Sequence, residues 1–136
     1  MSDSTYTPRR LNVPTKLPRE EPDPVEKPLA WLAGEIRTPP FSTQARIEAG
    51  GLLRRLQRGE RLSMPESRPM PDIGPRCHEL RIDDVQHKRE WRVMYYVGRH
   101  AIAVLDVVAK STRATPGDVI ANCRRRLAQF RKVDES

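Results

Sequence analysis

The chain has 136 residues, of which 25 are Lys or Arg and 18 are Asp or Glu, so its formal net charge is +7. A chain of this length accommodates one domain. Its charge indicates an anionic partner, and nucleic acid or an acidic protein is favoured over a membrane surface. No apolar run reaches the roughly 18 residues of a membrane span and no signal peptide is evident, so we expect a cytoplasmic protein without a membrane partner.

The first 28 residues are rich in proline and poor in apolar side chains. Their basic and acidic residues balance, so the net positive charge lies in residues 29–136. Such a segment cannot bury enough surface to offset the entropy lost on ordering. The sequence therefore predicts a disordered tail over residues 1–28 and a folded domain over residues 29–136.

The folded part begins with a short apolar run at residues 29–33, which is typical of an edge strand. A proline pair at residues 39–40 then excludes a helix. Residues 42–58 have helical periodicity, and Gly59 is a plausible C-terminal cap. The predicted apolar face of this helix consists of Ile47, Leu52, Leu53 and Leu56. The Pro- and Met-rich residues 61–75 predict a loop.

Three strands are predicted next, at residues 77–83, 90–97 and 101–108. A polar hairpin loop separates the first two, and the Gly-Arg-His turn at residues 98–100 separates the last two. Alternation in the middle strand predicts one face with Trp91, Val93, Tyr95 and Val97 and the other with Arg92, Met94 and Tyr96. The third strand is apolar on both faces apart from Asp106, which indicates a central position in the sheet.

A final helix follows, with Thr115 as its predicted N-cap, Pro116 at its first position and Asp118 in its first turn. Its predicted buried stripe consists of Ile120, Cys123, Leu127 and Phe130. The order of elements predicts an α+β fold: a mostly antiparallel sheet of about four strands, with the helices on one face and the other face free for binding.

Four short motifs occur in order along the folded part. They are KPLAW at 27–31; Gly50 with LQRG at 56–59; MPDIGP at 70–75 with ELRI at 79–82; and RVMYY at 92–96 with Leu105 and KSTRATP at 110–116. Together they resemble the RelE/ParE toxin superfamily, in particular its HigB-like, phage-associated branch. The resemblance covers roughly residues 27–132 and implies a small RelE-like fold.

The resemblance also implies an activity: ribosome-dependent endonucleolytic cleavage of mRNA by a toxin that a cognate antitoxin of helix-turn-helix type holds inactive. Such enzymes need no metal or cofactor, because the ribose 2′-OH attacks the adjacent phosphate and side chains supply proton transfer and positive charge. The catalytic candidates that it implies are Arg92, Lys110 and Arg81. Tyr96 is a further catalytic candidate, because strand alternation places it on the same face as Arg92. The candidate RNA-binding residues are Arg113, Arg124, Arg125 and Arg99.

The chain departs from this branch where the last strand meets the last helix. It has Asp106 in place of the usual His, Val108 in place of Phe, and Ser111 and Ala114 at basic positions. Asp106 is then either a base or the partner of a neighbouring Arg. A second hypothesis is therefore a non-enzymatic inhibitor or regulator on the same fold that binds a host protein or RNA, and a third is a basic RNA- or ribosome-binding module.

The cysteines, Cys77 and Cys123, belong to no CxxC pair, so we expect reduced thiols. Together with His78 they lack the ligand spacing of a zinc site, and we predict no metal.

Overall fold

The computed structural model describes residues 26–33, 41–110 and 115–135. Within these ranges it contains five strands and two helices. In chain order they are β1 (Leu29–Trp31), α1 (Thr43–Gln57), β2 (Ser67–Pro69), β3 (Cys77–Asp84), β4 (Arg89–Val97), β5 (Ile102–Ala109) and α2 (Gly117–Asp134).

The strands form a single five-stranded sheet in the order β1-β5-β4-β3-β2. β1 is parallel to β5, and the other neighbours are antiparallel. The predicted α+β class with a mostly antiparallel sheet is confirmed. The sheet has one strand more than predicted, because β2 lies within the predicted loop at residues 61–75. β2 is short and ends in Pro69 at a sheet edge, where proline is tolerated, so it leaves almost no pattern in the sequence.

The two helices lie on opposite faces of the sheet, which corrects the prediction that both cover one face. Odd-numbered residues of β4, such as Val93 and Tyr95, pack with Leu53 and Leu56 of α1. On the other face the buried residues come from β3, β4, β5 and α2, and they include Cys77, Met94, Tyr96, Leu105, Val119, Cys123 and Leu127. Because β4 carries large apolar side chains on both of its faces, each face requires a covering helix.

A β-bulge interrupts β5. Met94 pairs with Asp106 and Tyr95 pairs with Val104, so Leu105 has no partner in β4. Two successive residues of β5 therefore oppose one residue of β4, as is typical of a bulge. Before the bulge the odd-numbered residues of β5 face α2, and after it the even-numbered residues do.

Helix α1 agrees closely with its prediction. Ser42 is its N-cap, and the hydroxyl of Ser42 accepts a hydrogen bond from the Ala45 N–H at 3.2 Å. Gly59 has φ +94° just after the helix, a conformation that glycine adopts readily. The predicted apolar face was wrong in one residue, since Ile47 is 63% exposed. Ala45 and Ala49 are buried instead, because they lie on the same side of the helix as the leucines.

Helix α2 begins later than predicted. Its N-cap is Pro116 rather than Thr115, and its first helical residue is Gly117. The Thr115 hydroxyl does not cap the helix but accepts a hydrogen bond from Nη1 of Arg92 at 3.5 Å. The predicted buried stripe of α2 is confirmed for its two central residues, Cys123 and Leu127. The buried apolar residues of α2 are Val119, Cys123 and Leu127, with Ile120 and Phe130 partly buried beside them.

The described part of the chain starts at Glu26, within the predicted tail, whose residues 1–25 lie outside the described ranges. Lys27 is already integrated in the fold: its N–H donates to the carbonyl of Gln57 at 2.9 Å and its Nζ to the carbonyl of Gly98 at 2.8 Å. Of the helices described, neither is long and apolar enough to cross a membrane.

Candidate functional site

Charged side chains collect at the end of the sheet where β4 begins and β5 ends. Alternation along β3 and β4 places Glu79, Arg81, Glu90 and Arg92 on the face that α2 covers farther along the sheet. Lys110 follows β5 directly, and its N–H donates to the carbonyl of Glu90 at 2.8 Å. The residues that the register brings together here are therefore both acidic and basic.

Three cations surround the carboxylate of Glu90. Its Oε2 lies 3.4 Å from Nε of Arg81, 3.9 Å from Nζ of Lys110 and 4.0 Å from Nε of Arg92. The side chains of Arg81, Lys110 and Glu90 are 33%, 30% and 27% exposed, whereas that of Arg92 is only 5% exposed. A ligand from solvent can thus reach Arg81, Lys110 and Glu90, while Arg92 lies beneath them.

A second carboxylate, that of Glu79, is fully buried next to Arg92. Nε of Arg92 lies 3.4 Å from one of its oxygens, and Nη2 of Arg68 lies 3.1 Å from the other. Arg81 and Arg92 are directly opposite each other on β3 and β4, an arrangement that is unfavourable for like charges unless carboxylates separate them. We call the whole set the charged cluster; it consists of Arg68, Glu79, Arg81, Glu90, Arg92 and Lys110.

The structure brings together three of the four predicted catalytic residues, Arg81, Arg92 and Lys110, but not Tyr96. Tyr96 is on the same face of β4 as Arg92, as predicted, yet this part of the face is covered by α2 rather than open. Its hydroxyl donates to Oε2 of Glu135 at 2.6 Å and accepts from Nη2 of Arg76 at 3.1 Å. Burial, followed by the hydrogen bond to Glu135, raises the pKa of Tyr96.

Three of the four predicted RNA-binding residues, Arg99, Arg124 and Arg125, lie outside the charged cluster. Arg99 is in the β4–β5 turn, at the opposite end of the sheet. Arg124 and Arg125 are exposed on α2, where Nε of Arg124 donates to the backbone carbonyl of Asp72 at 2.6 Å. Arg113 falls outside the described residues. Arg99 therefore cannot share one surface with Arg81 and Lys110, whereas Arg124 is bonded to the segment that follows β2.

Asp106 forms an ion pair beneath α2. It is 7% exposed, and its Oδ1 lies 3.6 Å from Nη1 of Arg126 and accepts from the N–H of Val107 at 2.8 Å. Burial raises the pKa of Asp106, while the hydrogen bond from Val107 and the charge of Arg126 oppose this rise. Of the two alternatives for Asp106, the structure has the pairing with an arginine.

Arg68, Glu79 and Glu90 were not among the candidates from the sequence. Glu90 is two residues before Arg92, so strand periodicity alone places both on one face, and this signal was available. Arg68 is in β2, within the segment predicted to be a loop, and nothing in its local sequence indicates a partner. In the described ranges no group of His, Cys, Asp and Glu could hold a metal ion.

Comparison with known proteins gives one family. A family model described as "Phage derived protein Gp49-like (DUF891)" matches residues 39–128, which include α1, all of β2 to β5 and the charged cluster. No curated protein has a significant match to the chain.

Proposed function

The chain belongs to the phage-derived Gp49-like family, which is associated with RelE-like and toxin-like proteins, and we propose that it is the toxin of a type II toxin–antitoxin system. Its activity is ribosome-dependent cleavage of mRNA, which inhibits translation, and a cognate antitoxin of helix-turn-helix type keeps it inactive. The observation that carries this proposal is the Glu90 carboxylate within 4.0 Å of three cations at an accessible end of the sheet.

In the proposed reaction Glu90 is the general base. It takes the proton of a ribose 2′-OH, and the 2′ oxygen then attacks the adjacent phosphorus. A new bond forms between the 2′ oxygen and phosphorus as the bond to the 5′ oxygen breaks. The leaving 5′ oxygen takes a proton from Lys110 or from water. The products are a 2′,3′-cyclic phosphate and a 5′-hydroxyl end, so no metal, oxidant or co-reactant is consumed.

The cations have separate roles in this proposal. Arg81 and Lys110 are accessible, so they contact the phosphate oxygens and stabilise the charge that develops there. Arg92 is a positioning residue, because its buried guanidinium lies between Glu79 and Glu90 and fixes both carboxylates. In this proposal Arg92 holds the two carboxylates in place and does not itself contact the phosphate.

The test is cleavage of mRNA on translating ribosomes by the purified full chain, with mapping of the new 5′ ends. We expect Glu90→Gln to reduce cleavage by about 10²-fold or more, and Arg81→Ala to reduce it at least about tenfold. Arg125→Ala, an exposed arginine outside the charged cluster, is the matched control and should stay within about twofold of the wild type. If the wild type leaves mRNA uncut, the proposal is wrong.

One observation favours a second candidate, a non-enzymatic inhibitor that binds a host protein. Arg92 is buried against Glu79 and Glu90, so a good part of its positive charge is neutralised within the protein. Under this alternative, expression in cells would give a stable complex with a host protein and no new mRNA ends. Co-expression of a neighbouring gene for a helix-turn-helix protein should relieve toxicity under both hypotheses, the nuclease and the non-enzymatic inhibitor.

A further inference from the structure

A cavity of about 290 Å³ opens beside the charged cluster, between the segment that follows β2 and the start of α2. Its size is close to the lower limit for small-molecule sites, which suits a single flat group better than a large ligand. Its lining includes Arg68, Pro69, Pro71, Asp72, Thr115 and Ile120.

The walls of this cavity combine apolar surface with charged groups, a combination that suits a nucleobase. Pro69, Pro71 and Ile120 provide rigid apolar surface, and Arg68 provides a guanidinium plane. RNA bases that leave the stack are commonly held against apolar or aromatic surfaces and arginine planes, with polar groups at their edges. Asp72 is exposed and supplies a carboxylate for such an edge.

The cavity and the charged cluster share residues and hydrogen bonds. Arg68 lines the cavity and also lies 3.1 Å from the carboxylate of Glu79. Thr115 lines it too, and its hydroxyl accepts from Nη1 of Arg92 at 3.5 Å. An RNA strand with one phosphate at Arg81 and Lys110 therefore brings a neighbouring base to this opening.

We propose that the cavity binds one nucleobase of the RNA, adjacent to the phosphate at the charged cluster; this inference rests on the proposed function. The Asp72 carboxylate accepts hydrogen bonds from the amino groups of adenine, guanine or cytosine. Uracil has no amino group, and its one donor on this edge, N3–H, lies between two carbonyl oxygens that the carboxylate repels, so uracil binds less well. The cavity thus gives the protein a preference against uracil at one position of the substrate.

The test uses the isotope-labelled full chain and NMR titration with the four nucleoside 5′-monophosphates and with ribose 5-phosphate, which lacks a base. We expect shifts at Arg68, Asp72 and Ile120, about tenfold tighter binding of AMP, GMP or CMP than of ribose 5-phosphate, and weaker binding of UMP. Pro71→Trp, at an exposed position, should fill the cavity, so that the nucleotides bind no more tightly than ribose 5-phosphate. Asp72→Asn should reduce the difference in affinity between UMP and the other three nucleotides.

Glu60→Gln, an exposed acid at the end of α1, is the charge-matched control for Asp72→Asn and should behave as the wild type. Equal binding of ribose 5-phosphate and the nucleotides, or an unchanged base effect in Pro71→Trp, would overturn the inference. This readout does not depend on cleavage. Base-dependent binding by a chain that leaves mRNA uncut would refute the proposed nuclease activity alone, and cleavage without any base effect would refute the cavity alone.

Discussion

Glu79 and Arg92 form an ion pair inside the protein, with Oε2 of Glu79 3.4 Å from Nε of Arg92 and both side chains almost completely removed from solvent. Arg68 lies on the other carboxylate oxygen. A buried charge is costly unless it is paired, so each member of this group depends on the others. The end of the sheet that carries Glu90 therefore contains a buried carboxylate that two guanidinium groups share.

Removal of one partner should expose this dependence. We expect Glu79→Ala to lower the free energy of unfolding by about 3–5 kcal/mol, because it leaves two guanidinium groups without their shared carboxylate. Urea unfolding followed by circular dichroism measures this change. The control is Glu60→Ala, which breaks an exposed pair with Arg55 and should cost at most about 1 kcal/mol. A cost for Glu79→Ala no larger than that of the control would contradict this dependence.

Asp84 ties the start of α1 to the β3–β4 hairpin and makes stability depend on pH. Its carboxylate accepts hydrogen bonds from the Ser42 N–H at 2.9 Å, from Nε1 of Trp91 at 3.0 Å and from the His87 N–H at 3.1 Å. Burial alone would raise the pKa of Asp84, but these hydrogen bonds together outweigh it and lower the pKa below its usual 3.8.

Because the folded-state pKa of Asp84 is depressed, its stabilisation is complete above the unfolded pKa and is lost as the pH falls below about 4. We expect Asp84→Asn to lower the Tm by more than about 5 °C at pH 7, with a smaller difference from the wild type at pH 3. Thermal unfolding across this pH range is the measurement. Asp83→Asn, at the exposed neighbouring position, should show little effect at either pH, and a pH-independent difference for Asp84→Asn would argue against this account.

Tyr96 should matter for stability and not for activity. Tyr96→Phe removes the hydrogen bonds to Glu135 and Arg76, which hold the end of α2 against β4, so we expect the Tm to fall by roughly 5 °C. Cleavage of mRNA below the unfolding temperature should stay within about twofold of the wild type, since the hydroxyl lies outside the charged cluster. Loss of cleavage in a folded Tyr96→Phe protein would restore the catalytic role that the sequence predicted.

The two cysteines should be unreactive in the folded protein. Both are buried unpaired thiols, and burial raises the pKa of Cys77 to about 11 and that of Cys123 to about 12. At pH 8 only about one thousandth or less of each is thiolate, the form that reacts. A colorimetric thiol assay should therefore detect almost no reaction in buffer and two thiols per chain in urea. Rapid reaction of either thiol in buffer would show that it is not buried.

Much of the fold follows from local pattern. Ser42 begins a helix because its side chain satisfies a backbone N–H that the helix leaves open, and this requires only neighbouring residues. The alternation from Trp91 to Tyr96 likewise fixes which side chains share a face of β4. These elements were predictable because the interactions that define them lie within one helix turn or one strand.

The errors concern relationships between distant segments. β2 exists because Ser67, Arg68 and Pro69 pair with β3, and no periodicity within three residues indicates this. The side of the sheet that each helix covers was not evident either, since β5 is apolar on both faces. The charged cluster was partly predictable, because the family resemblance implied Arg81, Arg92 and Lys110, whereas Arg68 joins them only through the tertiary fold.

The unpaired Leu105 has a consequence for how this chain tolerates change in length. Lys110 lies opposite Glu90 because the residues of β5 after the bulge stay in regular register with β4. Deletion of Leu105 would leave Val104 and Asp106 opposite Tyr95 and Met94, so the ladder would become regular and every later side chain would keep its face. Shortening of the strand at this one position should therefore preserve both the sheet and the charged cluster, and what would be lost is the apolar contact of Leu105 on the α2 side.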